Sequence, residues 1–182
     1  MPIYVCLLRG INVGGHKKIK MDQLRTSIEA LGFEQVKTYI QSGNVVFNGA
    51  KASPASLCGK IEKIILDDFG HSVSAVIRTA DEMKKVLAGN PFLKERGVDP
   101  EKLHVMFLSD APESLALDKL AALIAPPEQF RCVGKDLYFH LPNGVGESIV
   151  MKKPINRVLA VTTTMRNWRT VSTLHQMCLD CR

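Results

Sequence analysis

The sequence has no hydrophobic run long enough to cross a bilayer and no basic leader ahead of its first apolar residues. A membrane-spanning helix takes about 20 consecutive apolar residues, and the opening residues have the pattern of a short strand rather than of a signal peptide. We therefore expect a soluble cytoplasmic protein with no membrane among its partners.

Cysteine is scarce, with five residues that are odd in number and scattered along the chain. Such a set does not make a disulfide framework and fits a reducing compartment. His175, Cys178 and Cys181 run His-x-x-Cys-x-x-Cys, but a zinc site needs a fourth ligand, and the sequence offers none nearby. We predict no metal and no cofactor.

The familiar catalytic motifs are also missing. There is no Gly-x-Ser-x-Gly, no His-Glu-x-x-His and no pair of carboxylates at a catalytic spacing. The sequence thus leaves open whether the protein is an enzyme, and it assigns no catalytic residue.

What is present is a composition that can build a core. Of 182 residues 46% are hydrophobic, which excludes disorder and allows one average domain or two small ones. Lys and Arg total 24 against 18 for Asp and Glu, giving a net charge of +6. This excess favours anionic partners without singling out nucleic acid.

Residues 1–80 follow the order strand, helix, strand, strand, helix, strand. Ile3 to Leu8 are apolar or aromatic at every position, which predicts a strand buried on both faces. Apolar residues at spacings of three and four mark the helices. Ser53-Pro54 has the composition of a helix start, and Ser42-Gly43 that of a tight turn. We predict strands at 3–9, 36–41, 44–48 and 73–78, and helices at 21–31 and 54–69. This order predicts a ferredoxin-like plait.

The same order then begins again. After a helix at 79–88 and a linker to 101, we predict a strand at 103–108, a helix at 114–125, strands at 129–133 and 137–141, and a helix at 155–161. A C-terminal helix over 166–177 is favoured over a closing strand, because Trp168, Val171, Leu174 and Met177 have helical spacing. The predicted fold is α+β, with two ferredoxin-like α/β plait subdomains (1–80 and 102–182) related by duplication, joined by 81–101, plus the C-terminal helix.

Three separated blocks carry a family resemblance. They are Leu7 to Gly15, Thr38 to Phe47 and Thr164 to Thr170. Together they resemble the bacterial family catalogued as domain of unknown function 1697. The resemblance covers essentially the whole chain and implies a fold of two related α/β plait subdomains. It implies no substrate, cofactor or catalytic residue, so function has to be argued from chemistry.

The loop from Arg9 to Lys18 is the first candidate site. Glycines let backbone amides approach an anion, and Lys17 and Lys18 add positive charge, so the loop suits phosphate or carboxylate. It does not match the nucleotide P-loop, because no hydroxyl residue follows the lysine. The alternative is that Gly14 and Gly15 only turn the chain and that the lysines are solvated.

The segment from Thr162 to Thr170 is the second candidate. A threonine cap would start the last helix there, and Arg166 and Arg169, three residues apart, would share one face and hold an oxyanion. Trp168 is expected to pack in the core. The alternative is that the two arginines pair with carboxylates such as Glu147 or Asp180.

The hairpin from Tyr39 to Asn44 is the third candidate, since a polar edge there would line a cleft. Turn chemistry explains Ser42 to Asn44 equally well. We predict that loop, hairpin and last helix meet in one cleft between the plaits and bind a small phosphate- or carboxylate-bearing ligand. The predicted ligand-binding residues are Arg9, Asn12, Gly14, Gly15, Lys17, Gln41, Asn44, Arg166 and Arg169.

Two other functions stay open at this point. The first is nucleic-acid binding through the net positive charge. A stacking surface for RNA is not expected, because the strand at 44–48 lacks the basic and paired aromatic residues and Tyr4 is expected inside. The second is a structural or interaction module that uses an exposed sheet edge. The sequence does not give the oligomeric state.

Overall fold

Two four-stranded antiparallel sheets dominate the structure, a computed structural model that describes residues 1–181. The chain divides into two units. Unit 1 is Met1–Lys85 together with the chain from Thr173 onward, and unit 2 is Val86–Ser172. Each unit contains one of the sheets, so the chain is a mixed α+β protein.

Unit 1 is built on a sheet of order β2-β3-β1-β4. Its strands are β1 (Ile3–Leu8), β2 (Glu34–Tyr39), β3 (Asn44–Asn48) and β4 (Ala75–Thr79), and its helices are α1 (Met21–Glu29) and α2 (Pro54–Phe69). Helix α3 (Ala80–Ala88) follows β4 directly and crosses the division between the units. As predicted, Ser53 caps α2 through its side chain, and α2 ends at Gly70, whose φ is 68°.

The helix-side core of unit 1 starts from the alternation in β1. Tyr4, Cys6 and Leu8 are buried on one face and pack with Leu24 of α1 and Ile61 of α2. Each fully buried leucine or isoleucine stabilises the fold by about 1.5–3 kcal/mol. The intervening residues of β1 are buried as well, which agrees with the prediction of a strand covered on both faces.

Unit 2 has a sheet of order β6-β7-β5-β8. Its strands are β5 (Leu103–Leu108), β6 (Gln129–Val133), β7 (Asp136–His140) and β8 (Thr163–Asn167). Its helices are α4 (Ser114–Leu123), α5 (Ile149–Lys152), α6 (Ile155–Leu159) and the start of α7 (Trp168–Leu179). Leu108, Leu120 and Phe139 lie in its core. The sequence did not predict α5.

The closing strand β8 corrects the prediction for the C-terminal region. Residues 163–167 pair antiparallel with β5, and Arg166 lies opposite Val105. The C-terminal helix exists but starts only at Trp168, where Asn167 Oδ1 accepts a hydrogen bond of 2.8 Å from Thr170 N. The expected cap by a threonine of 162–164 was therefore wrong, because these residues lead into or form the strand.

The first hairpin also differs from the prediction. Strand β2 ends at Tyr39, so Gln41 lies in the turn and not on the strand. The chain leaves β2 through Ile40 with φ 49°, a left-handed conformation that β-branched residues rarely adopt.

Within residues 1–181, no helix is long and apolar enough to span a membrane.

Candidate functional site

The loop between β1 and α1, residues 9–20, folds into a small hairpin of its own. Asn12 N donates to Lys17 O at 3.1 Å, and His16 N donates to Val13 O at 3.0 Å. The turn between them is Gly14-Gly15, with φ values of 58° and 80°, which glycine adopts without strain. The two glycines therefore have a structural role at an exposed tip.

Asn12 fastens the base of this loop with its side-chain amide. Its Nδ2 donates to Ile19 O at 3.0 Å and to Gln41 O at 2.9 Å. Its Oδ1 accepts from Ile19 N at 2.8 Å. Both N–H groups of the amide are thus engaged inside the protein, so Asn12 positions the loop against the β2–β3 turn.

The β2–β3 turn is held close to β1 by a glycine. Gly43 O accepts from Leu8 N at 2.8 Å. A Cβ on Gly43 would lie 2.7 Å from Ile11 Cδ1 and 2.9 Å from the Cβ of Leu8, and its φ is 79°. Because only glycine fits here, the turn can bring Gln41 next to Asn12.

A cavity of about 700 Å³ opens where the loop, the turn and the start of α1 meet. It is lined by Asn12, Lys18, Ile19, Lys20, Met21, Asp22, Gln23 and Gln41. Lys20 is the N-cap residue of α1 and provides no side-chain hydrogen bond to the first turn. The first amides of α1, with the positive end of the helix dipole, therefore lie at this cavity without a side-chain cap.

The charged residues of the β1–α1 loop are all basic. Residues 9–20 contain four Lys or Arg residues and no acid, in a chain whose net charge is +6. Lys18 and Lys20 are exposed and line the cavity. Lys17 Nζ instead donates to Ser72 O at 2.6 Å. Asp22 is the one acid of the lining, in the first turn of α1, where the helix dipole stabilises it.

Of the predicted site residues in unit 1, the cavity gathers two, Asn12 and Gln41. Five others do not line it: Arg9, Gly14, Gly15, Lys17 and Asn44. Asn44 is fully buried, and its Nδ2 donates to Tyr39 O at 2.9 Å and to Ser42 Oγ at 3.0 Å. These hydrogen bonds stabilise the β2–β3 turn.

The sequence-based site named Lys18 only as a charge of the loop and omitted Lys20, and the structure places both at the cavity. A usable signal was present in the sequence. Once the helix is placed at Met21, the residue before it is a lysine, where Ser, Thr, Asp or Asn would normally provide a cap. An uncapped helix start that follows basic residues favours an anion from outside the chain.

The two predicted arginines of unit 2 do not share a helix face. Arg166 lies in β8 and is 7% exposed, and its Nη1 donates to Thr164 Oγ1 at 2.8 Å and to Met165 O at 2.9 Å. Arg169 is exposed in the first turn of α7. The cleft that the sequence predicts between the two halves stays a prediction.

Three titrating groups with shifted pKa values, Cys58, Cys132 and His104, do not line the cavity. Burial raises the pKa of the Cys58 thiol to about 11, and the nearby Glu62 carboxylate acts in the same direction. Burial also raises the pKa of Cys132 and lowers that of His104. Thiols with raised pKa values are poor nucleophiles at neutral pH. The chemistry of the cavity therefore comes from ammonium groups and amides.

Two aromatic residues of the first sheet, Tyr4 and Phe47, cannot stack on bases. Tyr4 and Phe47 are 2% and 0% exposed, and their rings lie 5.7 Å apart in the helix-side core. This confirms the prediction that Tyr4 is interior.

Among residues 1–181, no group of three or more His, Cys, Asp or Glu side chains is placed to hold a metal ion.

Comparison with known proteins adds a family and a structural neighbour. The profile of a family described as "Protein of unknown function (DUF1697)" matches residues 1–138. The solved structure of the conserved bacterial protein SP0830 from Streptococcus pneumoniae is similar to this chain, with 26% identity and a TM-score of 0.73. The match covers 97% of this chain and 98% of that one. No curated protein matches.

Proposed function

We propose, from the premise that this chain belongs to the DUF1697 family of unknown function, that it binds a small phosphate- or carboxylate-bearing ligand at the start of α1. The family description assigns no activity, so the proposal rests on the residues of the cavity. The ligand's anionic group is held by Lys18 and Lys20 and by the first amides of α1.

One observation carries this proposal. The cavity of about 700 Å³ combines two exposed lysines with a helix start that has no side-chain cap. Backbone amides at a helix N-terminus bind oxyanions directly, and neighbouring cations neutralise their charge. Asn12 positions the lysines and the helix start, because its side chain bonds Ile19 at the end of the loop and Gln41 in the β2–β3 turn.

The size and lining of the cavity favour an organic anion over a bare oxyanion. Small-molecule sites are commonly about 300–1,000 Å³, and this cavity lies in that range. Ile19 and Met21 supply apolar surface beside the lysines. Gln41 is exposed at the rim and can orient the polar part of a ligand.

Arg9 adds positive charge to the β1–α1 loop without lining the cavity. It follows β1 directly, is half-buried, and its side chain forms no hydrogen bond or ion pair within the described part of the chain. Arg166 and Arg169, the other two cations that the sequence predicted, lie in unit 2, and the site proposed at the start of α1 is built from residues of unit 1 alone.

We also propose that the two units are ferredoxin-like plaits that arose by duplication, with boundaries near 1–80 and 102–182 and a connection at 81–101. The strand orders β2-β3-β1-β4 and β6-β7-β5-β8 support this, since they are the same order repeated. Arg78 and Arg166 support the duplication as well, because they occupy equivalent positions in the two sheets. Each lies opposite a valine of the central strand, Val5 or Val105.

The ligand class is tested by thermal shift with inorganic phosphate, adenosine monophosphate, glucose 6-phosphate, citrate and a single-stranded RNA oligonucleotide. At a ligand concentration of about 100 times Kd, binding stabilises the folded state by about 2.7 kcal/mol. We expect at least one organic phosphate or carboxylate to raise Tm by several degrees. A flat response to every small anion would refute the proposal, and a response to RNA alone would replace it with nucleic-acid binding.

A further inference from the structure

The four edge strands of the two sheets differ in how accessible they are to another chain. Unit 1 has the edge strands β2 and β4, and unit 2 has β6 and β8. An edge strand carries backbone N–H and C=O groups that have no partner within the sheet, and a further strand can bind there. In the part of the chain that the structure describes, local features interrupt or cover three of these edges and leave β6 open.

The edge of β4 is covered by side chains of its own unit. Ala75 N donates to Glu62 Oε1 at 2.8 Å, and Cys58 Sγ donates to Ala75 O at 3.3 Å. Arg78 Nη1 donates to Ile77 O at 3.0 Å. Because these backbone groups already have partners, they are not available to an added strand.

The edges of β2 and β8 are closed in other ways. The register of β2 shifts between Glu34 and Lys37, where Gln35 has a φ of 50°, and such an irregularity interrupts the row of backbone groups. Three of the five residues of β8 are buried. One of these, Arg166, donates from Nη1 to Met165 O at 2.9 Å.

Strand β6 has the regular geometry of an open edge. It pairs with β7 without a register shift as far as the two-residue turn at 134–135. Since Val133 and Asp136 close that turn, the backbone N–H and C=O groups of Phe130 and Cys132 point away from β7. No residue of β6 is buried. Two residues of β6 therefore offer their backbone groups to an added strand.

Arg131, between these two residues, is held by contacts at the protein surface. Its Nη1 donates to Phe130 O at 3.0 Å, its Nη2 lies 3.7 Å from Glu95 Oε1, and its Cζ lies 5.2 Å from the centre of the Phe92 ring. The Arg131 side chain is 48% exposed. Exposed ion pairs contribute little to stability, so the guanidinium can exchange these contacts for others.

The position of Arg131 determines which chain fits the edge. An antiparallel strand that bonds the backbone of Phe130 and Cys132 places one of its own residues directly opposite Arg131, where side chains approach most closely. An acidic residue there pairs with the guanidinium and draws it away from Phe130 O. A second β6 centred on the same position would instead place two arginines opposite each other, which is unfavourable.

We propose that the edge of β6 binds an extended segment of another protein, with an acidic residue opposite Arg131 and an apolar residue on each side of it. The flanking apolar residues would lie beside Phe130 and Cys132, which pack partly exposed against the core of unit 2. The site lies in unit 2 and is independent of the cavity at the start of α1.

The test is ¹⁵N NMR titration of the full-length protein with the acetylated and amidated pentapeptide Thr-Val-Glu-Val-Thr. We expect saturable shifts of the Phe130 and Cys132 amides. The same peptide with lysine in place of glutamate should bind at least threefold more weakly. The glutamate peptide with both valines N-methylated should bind at least fivefold more weakly, because it has lost the donors to Phe130 O and Cys132 O.

Two variants with the same change in net charge test the role of Arg131. Arg131→Glu should prefer the lysine peptide, whereas Lys119→Glu, at an exposed position of α4, should keep the wild-type preference. Neither residue is buried, so both variants are expected to fold, and their NMR spectra report this directly.

Four outcomes would overturn the proposal. They are the absence of saturable shifts at Phe130 and Cys132, equal binding of the glutamate and lysine peptides, undiminished binding of the N-methylated peptide, and an unchanged preference in Arg131→Glu. Shifts of the same two amides that depend on protein concentration, without any peptide, would identify a second copy of the chain as the occupant and would also overturn it.

Discussion

Asn12 and Ile19 exchange two hydrogen bonds, Asn12 Nδ2 to Ile19 O at 3.0 Å and Ile19 N to Asn12 Oδ1 at 2.8 Å. The side-chain amide thus pairs with a peptide group in the way that a neighbouring strand would. This pairing closes the β1–α1 loop two residues before α1 begins. Because Ile19 lies between Lys18 and Lys20, the same pairing holds the backbone that carries both lysines at the cavity.

Replacing Asn12 by alanine is expected to destabilise the fold by about 2–4 kcal/mol, because the loop loses its hydrogen bonds and alanine is strained at the φ of 55°. Asn12→Gly removes the hydrogen bonds without the strain and should cost about 1 kcal/mol less. Urea unfolding measures both values. Hydrogen exchange at the Ile19 amide should quicken in both variants, and unchanged protection there would contradict the role of Asn12.

Gly43→Ala should be among the more damaging single-methyl changes in unit 1. The added Cβ would lie 2.7 Å from Ile11 Cδ1 at a φ of 79°. We expect a loss of about 3 kcal/mol from overpacking and strain together. Gly10→Ala is the matched control, because Gly10 has a φ of 65° but an added Cβ there would have no atom within 4 Å. It should lose only about 1–2 kcal/mol from strain, and equal losses in the two variants would contradict the close approach.

Stability should fall as the pH is lowered through the range where His104 titrates in the unfolded chain. Burial lowers the pKa of His104 below its ordinary value of 6.5, and a backbone hydrogen bond at Lys102 opposes this only in part. Because the folded state favours the neutral imidazole, its contribution is present above pH 6.5 and is lost as the pH falls through the folded pKa.

His104→Gln isolates this effect. At pH 8, where the imidazole is neutral in both states, the variant reports only the change in packing. Between pH 6.5 and 5, its free energy of unfolding should decline less steeply than that of the wild type. Parallel pH profiles, obtained by urea unfolding at each pH, would show that His104 does not contribute.

The buried arginines at matching positions should have matching effects. Arg78 Nη1 donates to Ile77 O at 3.0 Å and Arg166 Nη1 donates to Met165 O at 2.9 Å, so each bonds the preceding carbonyl. They are 1% and 7% exposed. Arg78→Met and Arg166→Met should each destabilise the protein by about 3 kcal/mol, because buried acceptors lose their donor.

Arg25→Met provides the control for this pair, since Arg25 is half-exposed and pairs with Glu29 at a distance of 3.8 Å. Its effect should stay below about 0.5 kcal/mol. A large effect at Arg78 with none at Arg166 would argue against equivalent roles in the two units.

Much of the fold follows from local patterns. Strand β5 matched its prediction because all six of its residues are buried, and apolar runs of that length are typical of central strands. Helix α2 began where Ser53-Pro54 predicted, because capping depends on adjacent residues. Such features need no information from distant parts of the chain.

The errors lie where distant residues decide the structure. Strand β8 contains Arg166, and a buried arginine gives no apolar signal until its partners are known. Gln41 moved from strand to turn because Ile40 takes a left-handed conformation that its side chain disfavours. Lys20 lies beside Lys18 at the cavity only because Asn12 joins the loop to the β2–β3 turn. No periodicity encodes that contact.

The central claim, that the start of α1 binds an anion, is tested most directly by ¹⁵N NMR titration with glucose 6-phosphate. We expect saturable shifts of the Met21, Asp22 and Gln23 amides, with affinity at least tenfold lower in Lys18→Ala/Lys20→Ala. The control Lys51→Ala/Lys60→Ala, which removes two exposed lysines elsewhere in unit 1, should bind as the wild type does. Shifts absent from these three amides, or equal losses in the two double variants, would contradict it.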